Sequence, residues 1–247
     1  MDQQAQIERA AHFRTLHDRR QVLLLPNAWD AASACLFADL GFAAIATTSG
    51  GVAWSLGYPD GEQAPWAEVV AATRRIVRAT TLPVSADIEA GYGQTPEAVG
   101  TSVRALIEAG VAGINLEDGV QHRSLRDVDD AARRIAAART AAQAAGVPIV
   151  INARVDVWIV GRDANPTARL ADAVHRARAY LAHDLDLLEE RFSGYEGPLK
   201  LQVCGPVTLA ATVELRSGEK ALARFARLVH RWLFSSRGEL VGCPNSQ

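Results

Sequence analysis

Three short apolar runs each stop on charge: Val84-Ser85-Ala86-Asp87-Ile88-Glu89, Gly113-Ile114-Asn115-Leu116-Glu117-Asp118, and Ile149-Val150-Ile151-Asn152-Ala153-Arg154-Val155-Asp156. A buried parallel strand reads as an unbroken apolar run, so a charge where the run ends marks a side chain carried to the rim of a sheet. Asp87, Glu89 and Glu117 are therefore expected on one rim, with Arg154 beside them. Carboxylates grouped in this way repel one another unless a cation or hydrogen bonds compensate, and a hard divalent cation is the usual partner. The pattern predicts Mg²⁺ at Asp87, Glu89 and Glu117. Its plain alternative is a solvated strand end with a helix-capping turn. Two residues apart in a strand, Asp87 and Glu89 would share a face, and Gly91 and Gly93 would let the backbone turn tightly beyond them.

Other polar groups fall near the same presumed strand ends. Ser49-Gly50-Gly51 could offer successive backbone N–H groups to a carboxylate or oxyanion, or could be a simple connector. Arg154 could bind a substrate carboxylate with its planar fork, or merely pair with Asp156 or a rim carboxylate. His122 and Arg123 lie just past Glu117 in a polar stretch, where a solvated loop competes with an acid, base or lid role. Cys35 reads as a small core residue.

The elements that must deliver these residues follow an alternating beat. Ile7, Ala10, Phe13 and Leu16 mark a first helix over residues 3–19, and Val22-Leu23-Leu24-Leu25 reads as strand one. Strands are then expected at 43–47, 82–87, 112–116 and 149–153. Helices are expected at 31–40, 66–79, 96–109 and 128–145, and a Gly-rich loop at 49–61. Strand, helix, strand repeated in this order implies parallel pairing in an α/β fold. A (β/α)₈ TIM-type barrel is favoured over a doubly wound sheet, because polar residues recur at every strand end and no Gly-x-Gly-x-x-Gly follows strand one. Beyond residue 178 the beat falters, so the barrel is expected to be incomplete or irregular after its fifth βα unit.

Composition narrows the function classes. The 247 residues are 49% hydrophobic, enough for one large domain, and the net charge of -2 carries no long run of either sign. No nucleic-acid or membrane footprint results, which leaves a small molecule as the expected partner. The three cysteines are scattered and odd in number, which indicates neither a disulfide framework nor a zinc site. With no secretory h-region near Met1, a soluble cytoplasmic protein is expected.

Several segments, in order, resemble the isocitrate lyase and phosphoenolpyruvate mutase superfamily in its mutase-like branch. They are Leu25-Pro26-Asn27-Ala28-Trp29-Asp30, Thr47-Thr48-Ser49-Gly50-Gly51, Gly57-Tyr58-Pro59-Asp60-Gly61-Glu62, Ala86-Asp87-Ile88-Glu89-Ala90-Gly91-Tyr92-Gly93, Asn115-Leu116-Glu117-Asp118-Gly119 and Asn152-Ala153-Arg154-Val155-Asp156. The resemblance covers about residues 20–180. It implies a barrel enzyme that makes or breaks C–C or C–P bonds next to a carboxylate through an enolate, with Mg²⁺ as cofactor. By the same resemblance Asp87 is the direct metal ligand, and Glu89 and Glu117 reach the metal through water. Ser49, Gly50 and Gly51 hold substrate oxygens, Asp60 is the acid of a gating loop, Arg154 binds substrate, and a homo-oligomer is possible.

The chain also departs from the family. Isocitrate and methylisocitrate lyases carry a Cys-containing Lys-Arg/Lys-Cys-Gly-His loop where this chain has Val120-Gln121-His122-Arg123-Ser124, and the mutase's Lys and Asn are missing there too. A lyase acting on a small 2-oxo or 2-hydroxy dicarboxylate is the resulting expectation. A C–P mutase or hydrolase acting on a phosphonopyruvate-like acid is one alternative, and a catalytically impaired, truncated remnant another. Residues 1–180 read as the barrel portion and 181–247 as an atypical, fused or rearranged segment. Within that segment, residues 185–222 resemble part of a cobalamin-independent methionine synthase-like protein.

Overall fold

The computed structural model describes residues 2–17, 23–121, 123–160 and 165–181. In chain order the elements are α1 (Gln3–Thr15), β1 (Asn27–Ala28), α2 (Ala31–Asp39), β2 (Ile45–Thr47), α3 (Ser49–Ser55), α4 (Trp66–Arg78), β3 (Val84–Asp87) and α5 (Pro96–Ala109). They continue with β4 (Gly113–Glu117), β5 (Gly119–Val120), β6 (Ser124–Leu125), α6 (Val128–Ala145), β7 (Val150–Arg154), α7 (Val157–Val160) and α8 (Pro166–Leu181). Five strands form one parallel sheet in the order β1-β2-β3-β4-β7, and β5 and β6 pair as a small antiparallel hairpin. The α/β class and the parallel order match expectation. Closure into an eight-stranded barrel is not seen among the described residues, whose sheet runs from β1 to β7.

Local chemistry explains where the helices start and stop. Asp30 caps α2 in a reciprocal capping box with Ser33. Thr95 caps α5 with Pro96 at its first turn, and Asp127 caps α6 by accepting from the Asp129 and Asp130 amides. Both α5 and α6 end on a glycine in the left-handed region, Gly110 and Gly146, which a side chain would resist. The apolar faces of these helices meet the sheet in one core containing Ile45, Val84, Ala86, Ile114 and Ile151. From below, Phe13 of α1 reaches the point where a Gly113 side chain would stand, so the first helix closes the base of the sheet.

Several expectations need correction. Leu23–Leu25 is not a strand; the ladder begins at Asn27, paired with Ala46, because Pro26 lacks an N–H and can only stand at a strand's entrance. The Gly-rich stretch from Ser49 is not all loop, since Thr48 caps a short helix there. The polar stretch after Glu117 folds back as the β5–β6 hairpin. Cys35 is buried on α2, as expected of a small core residue. His122, the strand expected at 199–203, and the methionine synthase-like resemblance at 185–222 lie outside the described residues. Among the described residues no helix is long and apolar enough to cross a membrane.

Candidate active site

Parallel pairing sends the last residue of each strand to the same rim, and three of those residues are Asp87 of β3, Glu117 of β4 and Arg154 of β7. Register keeps them close: Asp87 stands opposite Asn115, and Glu117 opposite Arg154. Glu89 arrives differently. It lies beyond β3 with φ of 50°, so a left-handed turn, not strand alternation, brings it in, and the Glu117 amide donates to its backbone carbonyl at 2.8 Å. The four residues expected on one rim are on one rim.

Asp87 is held from both sides. One carboxylate oxygen accepts from the Ser49 hydroxyl at 3.0 Å and the Ser49 amide at 3.3 Å, and the other accepts from the Asn115 side chain at 2.9 Å. Asn152 in turn donates to Asn115, so a row of side chains crosses β7, β4 and β3 and ends on Asp87. The Ser49-Gly50-Gly51 segment is partly committed: Ser49 N–H goes to Asp87 and Gly51 N–H to the capping Thr48 hydroxyl. Asp60 lies against Gly50, where an added Cβ would stand 3.2 Å from Oδ2.

Glu89, 3% exposed, accepts from the Glu62 amide at 2.9 Å and the Tyr92 hydroxyl at 3.3 Å. Glu62 reaches back to the Tyr92 amide at 2.6 Å, which ties the 57–65 loop to the turn after β3. Burial pushes the Glu89 carboxyl up to about 7, and the neighbouring charges of Asp60, Asp87 and Glu62 push the same way against the Glu62 amide bond. Tyr92 is likewise raised, by burial first and by Glu89 next.

Arg154 does what its plain alternative foresaw. Its Nε donates to Asp156 Oδ1 at 2.6 Å and its Nη2 to Asp156 Oδ2 at 2.9 Å, and it also pairs with Glu117. Both N–H groups of its Nη1 remain without a bond to the described residues. Arg123 is exposed.

The residues fit a hard cation. Carboxylate and amide oxygens line the rim, and a cation there would offset the penalty that burial first, and the charges of Asp60, Asp87 and Glu62 after it, put on an ionised Glu89. Among the described residues no three His, Cys, Asp or Glu side chains form a metal-holding group. Asp87, Glu89 and Glu117 are the residues that would hold such an ion.

Comparison with known proteins supplies the family. A family model described as phosphoenolpyruvate phosphomutase matches residues 13–183. The chain belongs to the phosphoenolpyruvate phosphomutase family. Among relatives of this family, 2,3-dimethylmalate lyase of Eubacterium barkeri is 32% identical over 181 residues, covering 72% of this chain and 62% of the lyase. A crystal structure of a candidate phosphonomutase from Burkholderia cenocepacia J2315 superposes with a TM-score of 0.68 at 49% identity, covering 71% of this chain and 72% of that one. A phosphonopyruvate hydrolase solved with oxalate and Mg²⁺ gives a TM-score of 0.63 at 25% identity, covering 71% of this chain and 60% of the hydrolase.

Some residues at this rim have no role that the sequence pattern assigns. Glu62, Tyr92, Asn115 and Asn152 all bond to the rim carboxylates or to one another. For Asn115 and Asn152 a signal existed, since each is a polar residue inside an apolar strand at matching register. Glu62 carried none, because only the folded 57–65 loop brings it to Glu89.

Proposed function

We propose that this chain is a Mg²⁺-dependent lyase that cleaves a C–C bond next to a carboxylate in a small 2-oxo or 2-hydroxy dicarboxylate, through an enolate. The observation that supports it is the placement of Asp87, Glu117 and Arg154 at the ends of adjacent parallel strands with Glu89 in the turn just beyond β3, in a chain whose family includes a dimethylmalate lyase. When bound, Mg²⁺ supplies positive charge where negative charge builds on the enolate oxygen. Arg154 offers its two remaining Nη1 donors to a substrate carboxylate, a charge-assisted contact of the stronger kind. Ser49, Gly50 and Gly51 sit at the first turn of α3, where Ser49 bonds Asp87 and the segment can orient substrate oxygens. Asp60 closes the same side from its loop and is assigned the acid role over the substrate.

A C–P bond hydrolase or mutase is the second reading, favoured by the 49% identity to the candidate phosphonomutase. One assay separates the two: release of pyruvate and of phosphate from 2,3-dimethylmalate, 2-methylisocitrate, oxaloacetate and phosphonopyruvate, with Mg²⁺ and with chelator. Mg²⁺-dependent cleavage of a dicarboxylate without phosphate chemistry is expected. Turnover of phosphonopyruvate alone supports the second reading, and no turnover of any compound refutes both.

A further inference from the structure

Behind Arg154 lies a chain of buried charge that the proposed chemistry does not use. Asp156 is 0% and Asp118 2% exposed. Asp156 holds the Arg154 guanidinium with both carboxylate oxygens. Its own amide donates to Asp118 Oδ1 at 2.8 Å. The other Asp118 oxygen accepts from the Tyr180 hydroxyl at 2.6 Å and from Arg176 Nη1 at 3.2 Å, and both donors belong to α8. Gly119 makes the approach possible: a Cβ there would stand 2.5 Å from Asp156 Oδ2.

We infer that Asp156 and Asp118 are positioning residues that fix the Arg154 guanidinium so that its Nη1 edge faces the substrate carboxylate, and that α8 anchors this arrangement through Arg176 and Tyr180. A bidentate grip sets the plane of the guanidinium as well as its place. Of the five N–H groups, Asp156 takes Nε and one on Nη2, and Glu117 shares Nη2, which leaves Nη1 for a ligand. Burying Asp156 without its arginine would be costly, so the grip is two-way.

The inference rests on the proposed role of Arg154, and its test keeps the two apart. Calorimetric titration of oxalate in saturating Mg²⁺, and of Mg²⁺ alone, is done on the wild type, Asp156→Asn, Arg154→Ala and the double variant. Oxalate binding is expected to weaken about tenfold to hundredfold in Asp156→Asn, as loss of a charge-assisted partner would give, with Mg²⁺ affinity within about twofold of wild type. The double variant should bind oxalate no more weakly than Arg154→Ala, because both act through one group. Additive losses, unchanged oxalate binding in Asp156→Asn, or equal loss of Mg²⁺ overturn the positioning role. If Arg154→Ala binds oxalate like wild type, or wild type binds none, the substrate role of Arg154 fails and the inference with it. Should Asp156→Asn not fold, Tyr180→Phe replaces it in the same cycle, with a smaller loss of oxalate affinity expected and additivity again decisive.

Discussion

In the metal-free protein Glu89 should make stability fall as pH rises. Its folded-state pKa of about 7 lies above the ordinary carboxyl value of 4.5 that represents the unfolded chain. The folded protein therefore prefers the neutral acid, and the stabilisation is fully present below about pH 4.5 and lost as pH climbs through about 7. The rise from 4.5 to about 7 corresponds to roughly 3 kcal/mol. Glu89→Gln imitates the neutral form and keeps an acceptor for the Glu62 amide and Tyr92 hydroxyl. Urea unfolding in chelator from pH 4.5 to 8.5, followed by circular dichroism, should show variant and wild type alike at the acid end and the variant more stable by roughly 3 kcal/mol at the alkaline end. Saturating Mg²⁺ should shrink the wild type's loss, because a cation offsets the charge that burial penalises. A difference between the two proteins that does not change with pH would refute the reasoning.

Two further outcomes follow from the same contacts. Asn115→Ala removes the side chain that bonds Asp87 and should weaken Mg²⁺ affinity about tenfold to hundredfold by calorimetry while leaving the far-ultraviolet spectrum unchanged. Arg134→Ala deletes a 2% exposed guanidinium that bonds the Gly93 and Gln94 carbonyls and Asp130, and should cost about 3 kcal/mol in urea unfolding.

The strand order and the rim residues were legible because buried parallel strands leave an apolar signature with charge at its end. Asp87, Glu117 and Arg154 were read from that signature and stand at the ends of β3, β4 and β7. Glu89 was expected for a reason the structure replaces: a left-handed turn brings it to the rim, and period-two alternation does not. The helices at 96–109 and 128–145 were readable to the residue, since their caps and stopping glycines are local signals. β1 was misplaced because Leu23–Leu25 is apolar without being paired, and pairing is a property of two segments at once. The same limit hid the role of Asp118, whose partners Arg176 and Tyr180 lie on a helix far along the chain. The short helix α3 escaped because Ser49-Gly50-Gly51 has poor helix propensity, and the Thr48 cap supports its first turn.

The most direct test is anomalous diffraction from crystals of this protein soaked in Mn²⁺, an ion that takes the same oxygen ligands as Mg²⁺. The account predicts one strong peak in direct contact with the Asp87 carboxylate, with waters between the ion and Glu89 and Glu117. A crystal that binds Mn²⁺ only elsewhere, or not at all at saturating concentration, would contradict it.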